Sequence, residues 1–274
     1  MSVLWSTGIM RRATLEVILV ALLAGLVGVH LHLRRLSFLT MSIAHASFPG
    51  VVIAYWIGTA PFAGSLVFAA LFVLALWSAS AGNGNAVGHS SLVGVALAGS
   101  LGLGAMLQSI QKSPPRNLAS ILTGSVVSVD QDDLVLTVIV AAAVLAVLAA
   151  MHKELVYSAF DATGARSAGF GRWLDLVVHL CVAVAVVSTV PALGTVLAPS
   201  LLIVPAMAAR LWTERVGAMM AIATAIALVA ALSGLLWSTE QRIAAGPAIT
   251  LVATGLFALS ALMAPHGLVR HATT

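Results

Sequence analysis

The chain has 274 residues, of which 61% are hydrophobic and 8% are charged, and its formal net charge is +4. A soluble domain carries roughly a quarter of charged residues, so this composition excludes a soluble fold with one enclosed core. The thirteen lysines and arginines are scattered between apolar segments. That distribution is typical of an integral membrane protein surrounded by lipid and predicts no nucleic-acid partner.

Apolar stretches long enough to cross about 30 Å of hydrocarbon recur along the chain. They lack the alternation of apolar and polar residues that a membrane β-barrel needs, so helices are expected. The candidates lie near residues 13–33, 43–59, 62–80, 89–110, 134–151, 173–197, 199–212, 216–237 and 247–264. We therefore predict an all-α polytopic bundle of nine transmembrane helices, or eight if the short 199–212 piece does not cross fully. All of it forms a single transmembrane domain, residues 1–274.

The region from Thr189 to Arg210 is apolar but contains prolines and a glycine that interrupt helices. Interrupted membrane helices occur where the backbone lines a cavity or a pathway. The interrupting residues are Pro191, Gly194, Pro199 and Pro205. We predict one interrupted helix region here, beside a translocation route, in which Gly194 and Pro205 act either as hinges or as static packing residues.

The polar stretch from His152 to Arg172 orients the bundle. If it lies in the cytoplasm and the spans alternate, eight basic residues fall inside and five outside, which agrees with the positive-inside rule. The inner set is Arg34, Arg35, Lys153, Arg166, Arg172, Arg210, Arg215 and Arg270, and the outer set is Arg11, Arg12, Lys112, Arg116 and Arg242.

Four motifs follow one another along the chain. Arg34 to Gly50 reads RRLSFLTMSIAHASFPG, and Leu122 to Ser125 reads LTGS. Lys153 to Gly169 reads KELVYSAFDATGARSAG, and Gly194 to Arg210 reads GTVLAPSLLIVPAMAAR. In residue type and order these motifs resemble the permeases of zinc, manganese and iron ABC importers.

The resemblance implies a partnership with other chains. These are cytoplasmic ATPase subunits, an extracytoplasmic metal-binding protein and a second permease copy, in the plasma membrane of a prokaryotic cell. The sequence contains no Walker-type phosphate loop, so ATP hydrolysis is expected in a separate partner chain and this chain is not itself an enzyme. No prosthetic group is expected; zinc or manganese is the transported ion.

His45 is the first candidate for contact with that ion, because an ionisable group inside an apolar span is costly unless it faces a pathway or a partner. Imidazole binds zinc and manganese-group ions. The resembling family has aspartate four residues earlier, where this chain has Met41, whose thioether suits softer ions. The alternatives are packing roles: a hydrogen bond from His45 to a backbone carbonyl or to Ser42, and ordinary apolar packing for Met41.

Other histidines carry weaker signals. His89 begins a span and is a further metal candidate, against the alternative of a structurally satisfied side chain. His30 and His32 are two residues apart and so lie on different helical faces. They fall at the presumed inner end of the first span, where an interfacial position is expected.

The His152–Arg172 loop predicts a cytoplasmic coupling helix. Phe160 is an apolar anchor, and Asp161 is a capping carboxylate for a helix that includes Ala165, runs through Ala168 and is ended by Gly169. Such a helix, seated in an ATPase cleft, would pass ATPase closure to the spans. The alternative is a solvated loop. Pro49 and Gly50, at the end of the first motif, are further pathway or hinge candidates.

A different cargo and a different class of transporter remain open from the residues alone. The same machinery could carry iron, a softer metal or a metal chelate. A proton-coupled carrier would need buried carboxylates, whereas Glu16 and Asp175 are both expected close to span ends. An intramembrane metalloprotease needs a His-Glu-x-x-His helix, which the sequence lacks.

Overall fold

The fold is entirely helical across the residues that the computed structural model describes, which are 8–79, 89–110, 131–195 and 198–265. In that part of the chain there are twelve helices and no β-strand. They are α1 (Gly8–Leu33), α2 (Ser37–Ala46), α3 (Phe48–Ile57), α4 (Pro61–Ala79), α5 (His89–Ile110), α6 (Gln131–Ala150), α7 (His152–Phe160), α8 (Ala162–Ser167), α9 (Trp173–Leu193), α10 (Ala198–Trp212), α11 (Val216–Gln241) and α12 (Ala245–Met263).

The predicted spans all correspond to helices within these residues. Seven are long and apolar enough to cross a membrane, and α2 and α3 together form one of the seven. The pair α6 and α7, which are bent by 68° relative to each other, makes an eighth crossing if the two helices count as one span, while α10 is a shorter apolar helix. The all-helical membrane fold is thus confirmed, with seven or eight crossings in the described residues against the eight or nine predicted. The second motif, Leu122 to Ser125, lies outside the described residues.

The first span, α1, packs against five other helices, namely α6, α7, α9, α10 and α11. Glycines allow two of these contacts to be very close. A Cβ atom placed on Gly28 would lie 2.1 Å from the carbonyl oxygen of Leu202, and one on Gly25 would lie 2.4 Å from Cα of Thr224. Membrane helices approach this closely only where side chains are absent, so α1 is locked between α10 and α11.

The second span is broken at Ser47, where α2 ends and α3 begins. Pro49 has no N–H to donate to the carbonyl of His45 four residues earlier, which explains the break. The Ser47 hydroxyl donates to the carbonyl of Ala44 at 2.8 Å and satisfies one acceptor near it. Beyond the break α3 packs closely on α4, because a Cβ on Gly50 would lie 2.2 Å from the carbonyl oxygen of Gly64.

The predicted interruption is present between α9 and α10. Gly194 caps α9 with a φ of 81°, in the left-handed region that favours glycine. The prolines do not add further breaks, since Pro199 lies in the first turn of α10 and Pro205 lies inside it. Proline in the first turn of a helix loses no hydrogen bond, and the close packing of α10 holds the turn around Pro205.

Candidate translocation site

One face of α2 carries the residues expected to meet an ion. Phe38, Met41 and His45 are spaced at i, i+3 and i+7 and so lie on the same side of the helix. Phe38 and Met41 are each 46% exposed, and His45 is half-buried. The opposite side, with Leu39 and Ile43, is buried in the bundle. We call the Phe38–Met41–His45 side the open face of α2.

His45 is the ninth of the 21 residues of its span, well inside the apolar stretch. Its imidazole makes no hydrogen bond to another residue in the described ranges. Ser42, the alternative partner, donates its hydroxyl to the carbonyl of Phe38 at 3.0 Å instead. Both ring nitrogens of His45 are therefore left for a partner outside this fold or for water, as a pathway residue requires.

A complete metal cage is not formed by the described residues, which contain no group of three or more histidine, cysteine, aspartate or glutamate side chains. A zinc ion takes about four ligands. His45 can supply one imidazole nitrogen, and Met41, one turn earlier, a thioether that binds soft ions and not manganese. Any further ligands of an ion bound here would come from water, backbone, residues outside the described ranges or another chain.

The other predicted pathway residues are spread over several helices. Pro49 and Gly50 lie just beyond the break that follows His45, on buried positions of α3. Gly194 and Pro205 are buried in the α9–α10 region, and α10 does contact α2. His89 begins α5, which packs on α2 and α3, but its side chain lies outside the described residues. Their roles as hinges or ligands stay predictions.

The loop predicted to couple to an ATPase contains two short helices, α7 and α8, which we call the coupling segment. Asp161 caps α8 by accepting a hydrogen bond at 2.7 Å from the N–H of Gly164. Ala165 is buried, and Gly169 follows the helix with a φ of 88°. The predicted cap and helix are present, while Phe160 is 68% exposed at the junction of α7 and α8. Docking to an ATPase stays a prediction.

A buried arginine links this segment to the bundle. Nη1 of Arg34 donates to Oδ1 of Asp175 at 2.8 Å, and Nη2 donates to Oγ of Ser158 at 2.6 Å and to the carbonyl of Leu155 at 3.1 Å. Burial lowers the pKa of Arg34 from its ordinary value, and the Asp175 carboxylate opposes that shift. From the sequence, Arg34 indicates only which side of the membrane its loop occupies. The signal that this interpretation missed was the acidic residue at the start of α9.

A second contact of this kind joins α4 to the start of α9. The guanidinium of Arg172 lies over the Trp77 ring, 5.0 Å from its centroid, and donates to the Trp77 carbonyl at 2.7 Å. The Trp77 indole donates in return to the carbonyl of Arg172 at 3.2 Å. Arg34 and Arg172 therefore lie at the same end of the bundle as the coupling segment, as their predicted placement on one side requires.

One sequence expectation about α1 is wrong, and a second residue is more enclosed than expected. Glu16 is not close to a span end, because α1 begins at Gly8; its side chain is fully buried and accepts a hydrogen bond from Thr137 of α6 at 2.9 Å. His30 lies in the last turn of α1, at the expected end of the span, but it is only 1% exposed and its ring packs edge-on against that of His152, 6.3 Å away. Both side chains turn inward because α1 is enclosed by its neighbours, which its uniformly apolar sequence does not reveal.

Comparison with known proteins gives full-length matches. Residues 6–264 match the ABC 3 transport family. The chain is 31% identical over 259 residues to "Manganese transport system membrane protein MntC" of Listeria innocua, covering 94% of this chain and 91% of the relative. It is 30% identical over 272 residues to "Zinc transport system membrane protein TroC" of Treponema pallidum, covering 96% and 91%.

A solved structure is similar over the same length. The structure "PsaBC from Streptococcus pneumoniae in complex with Fab" superposes with a TM-score of 0.86 at 28% sequence identity, covering 99% of this chain and 97% of that chain. The arrangement of helices described above is therefore shared with that chain from end to end.

Proposed function

The chain belongs to the ABC 3 transport family, and from that premise we propose that it is the membrane-spanning permease subunit of an ATP-driven importer of divalent transition-metal ions. Zinc or manganese is the proposed cargo, in keeping with the relatives named for transport of those two metals. The many apolar helices and the family together indicate a multi-pass membrane protein.

The observation that carries the proposal is the position of His45. A polar imidazole lies well inside a membrane span, on the open face of α2, with no hydrogen bond to the described chain. Facing lipid there would be unfavourable. We therefore place the route of the ion along this face, with His45 exchanging water for protein contacts as the ion passes.

The proposed partners follow from what the chain itself does not carry. ATP hydrolysis resides in separate cytoplasmic ATPase subunits, which the coupling segment contacts through the exposed Phe160 and the capped helix α8. An extracytoplasmic metal-binding protein delivers the ion, and a second permease copy covers the open faces. The assembly lies in a prokaryotic plasma membrane, and residues 1–274 act as one transmembrane domain. Alternating access moves the ion inward.

A second candidate cargo is favoured by Met41. The resembling family has aspartate at this position, and its replacement by a thioether removes the hard oxygen ligand that manganese prefers. An importer of iron, of a softer metal ion or of a metal chelate would use the same ATP-driven machinery. Uptake measurements distinguish these cargoes, because the transported ion is the one whose uptake saturates.

A proton-coupled carrier is the competing class, and the buried Glu16 gives it its one supporting observation. Carboxylates inside membrane spans serve proton relays in pumps and transporters. Here, however, Glu16 receives a hydrogen bond from Thr137 of α6. We assign it to packing of α1 against α6.

The test is reconstitution of the chain into vesicles with and without its ATPase and binding protein. The proposal predicts metal uptake only when all three components and ATP are present, and no uptake by the permease alone under a proton gradient. Gradient-driven uptake by the chain alone, lost in Glu16→Gln, would instead establish a secondary carrier.

A further inference from the structure

Arg34 lies in the three-residue turn that joins α1 to α2, the helix that carries His45. The backbone N–H groups of all three turn residues donate to carbonyls in the last turn of α1, at 3.0 to 3.2 Å. Arg35 holds a φ of 57°, a left-handed conformation that is uncommon outside glycine. The turn is therefore short and firmly hydrogen-bonded. A displacement of Arg34 would consequently also displace the start of α2.

The side chain of Arg34 reaches three partners that belong to two other elements. It binds Leu155 and Ser158 of α7 and Asp175 in the first turn of α9. The arginine side chain is only 8% exposed, whereas that of Asp175 is 55% exposed. The guanidinium is thus enclosed against α7, and the carboxylate of Asp175 binds it on the side that faces solvent.

A second contact joins the end of α1 to α7. His30 lies four residues before Arg34, on the same face of α1, and its ring packs against that of His152 at the start of α7. His30 therefore contacts the start of α7, and Arg34 binds two residues further along it. The coupling segment and the turn before α2 form one connected unit.

We propose that Arg34 is the positioning residue that transmits movement of the coupling segment to α2 and so to His45. The inference rests on the proposed function, because it assumes that an ATPase moves the coupling segment. A shift of α7 is passed through the guanidinium to the turn, and the turn reorients α2. His45 lies eight residues into α2, about 12 Å along its axis.

Arginine suits this task better than lysine. Its planar guanidinium presents several donors in a fixed geometry, and Nη1 and Nη2 here hold partners on two different helices. A lysine has the same charge but concentrates its donors on one nitrogen at the end of a flexible stem. Arg34→Lys therefore keeps the charge and removes the rigid bridge.

The experiment measures ions transported per ATP hydrolysed in vesicles that hold the complete complex of permease, ATPase and binding protein. Arg34→Lys is compared with Arg35→Lys, the same substitution at the exposed neighbouring arginine. We expect Arg34→Lys to assemble and hydrolyse ATP but to transport about tenfold fewer ions per ATP, within the usual range for coupling between linked sites. Arg35→Lys should match the wild type.

Two results separate this inference from the proposed function. If the wild-type complex transports no metal with ATP, the proposed function fails. If the wild type transports and Arg34→Lys has an unchanged ratio, only the role of Arg34 is overturned.

Should Arg34→Lys fail to assemble, Asp175→Asn and Ser158→Ala decide the question. Each removes one partner of the guanidinium and leaves the arginine in place. A lowered transport ratio in both, with assembly intact, supports transmission through Arg34. Wild-type ratios in both reduce Arg34 to a structural support of the fold and overturn the inference.

Discussion

The first span and the second span are buried to the same extent, since 72% of an 18-residue apolar stretch of each is enclosed by the bundle, yet they are built differently. The first is one continuous helix of 26 residues enclosed by five others. The second is broken at Ser47 and leaves Phe38, Met41 and His45 on an open face. Two equally buried spans therefore differ in structure. The first is a continuous helix fixed by its neighbours, and the second has a break and an open face.

The two spans differ in how tightly they are held in this fold. Close glycine contacts hold α1 against α10 and α11, and packed membrane interfaces of small residues leave little freedom. The break before Pro49 removes a backbone hydrogen bond from the middle of the second span, which allows its two halves to change their relative direction. We place the ion route along the broken span and its support along the continuous one.

The largest expected effect comes from disturbing the fixed helix with Gly28→Ala. The added Cβ would lie 2.1 Å from the Leu202 carbonyl oxygen, and no side-chain rotation relieves a clash with backbone. Overpacking typically costs about 1–3 kcal/mol, and this site is at the severe end. We expect a marked fall in thermal stability and in assembled complex, measured by the melting of the purified permease.

Gly255→Ala is the matched control for that substitution. It makes the same change in α12 at an exposed position, where an added Cβ meets nothing within 4 Å. Its stability should equal that of the wild type. Equal melting temperatures for Gly28→Ala and Gly255→Ala would contradict the assignment of α1 as a fixed helix.

A smaller effect is expected from Met41→Asp on the open face of α2. If this face borders a hydrated route, the carboxylate is solvated and the protein folds. Aspartate also supplies the oxygen ligand that manganese prefers, so uptake of manganese relative to zinc should rise. Competition of the two ions for uptake by the reconstituted complex measures that ratio.

Val229→Asp is the comparison for the open face, since Val229 is 53% exposed near the middle of α11. An aspartate at the centre of a lipid-facing helix costs about 2.5–3.5 kcal/mol for insertion, so the yield of this variant should fall. An equal loss of yield in Met41→Asp would show that α2 faces lipid there, and would remove the ion route from this face.

The described helices of the fold were predictable because each depends on local sequence. Apolar stretches of membrane length marked every span, and Asp161 with Gly169 marked both ends of α8. The interruption between α9 and α10 follows from Gly194, whereas the break in the second span was not predicted, although Pro49 explains it. The coupling segment was recognisable from its motif and from the capping chemistry of one carboxylate.

The contacts around the candidate site were not predictable in the same way, because they join residues far apart in the chain. Arg34 meets Ser158 and Asp175 only after α1, α7 and α9 have packed. The burial of Glu16 and His30 depends on which neighbours enclose α1. In an apolar helix nearly every face is hydrophobic, so periodicity gives no direction for the few polar side chains.

The most direct test of an ion route past His45 is ATP-dependent uptake of zinc and manganese, compared side by side, in vesicles holding the complete complex with wild-type permease or His45→Ala. We expect saturable uptake of one ion by the wild type and its loss in His45→Ala, while ATPase and binding protein still assemble with the variant. Undiminished uptake by an assembled His45→Ala complex would contradict this expectation and return His45 to a packing role.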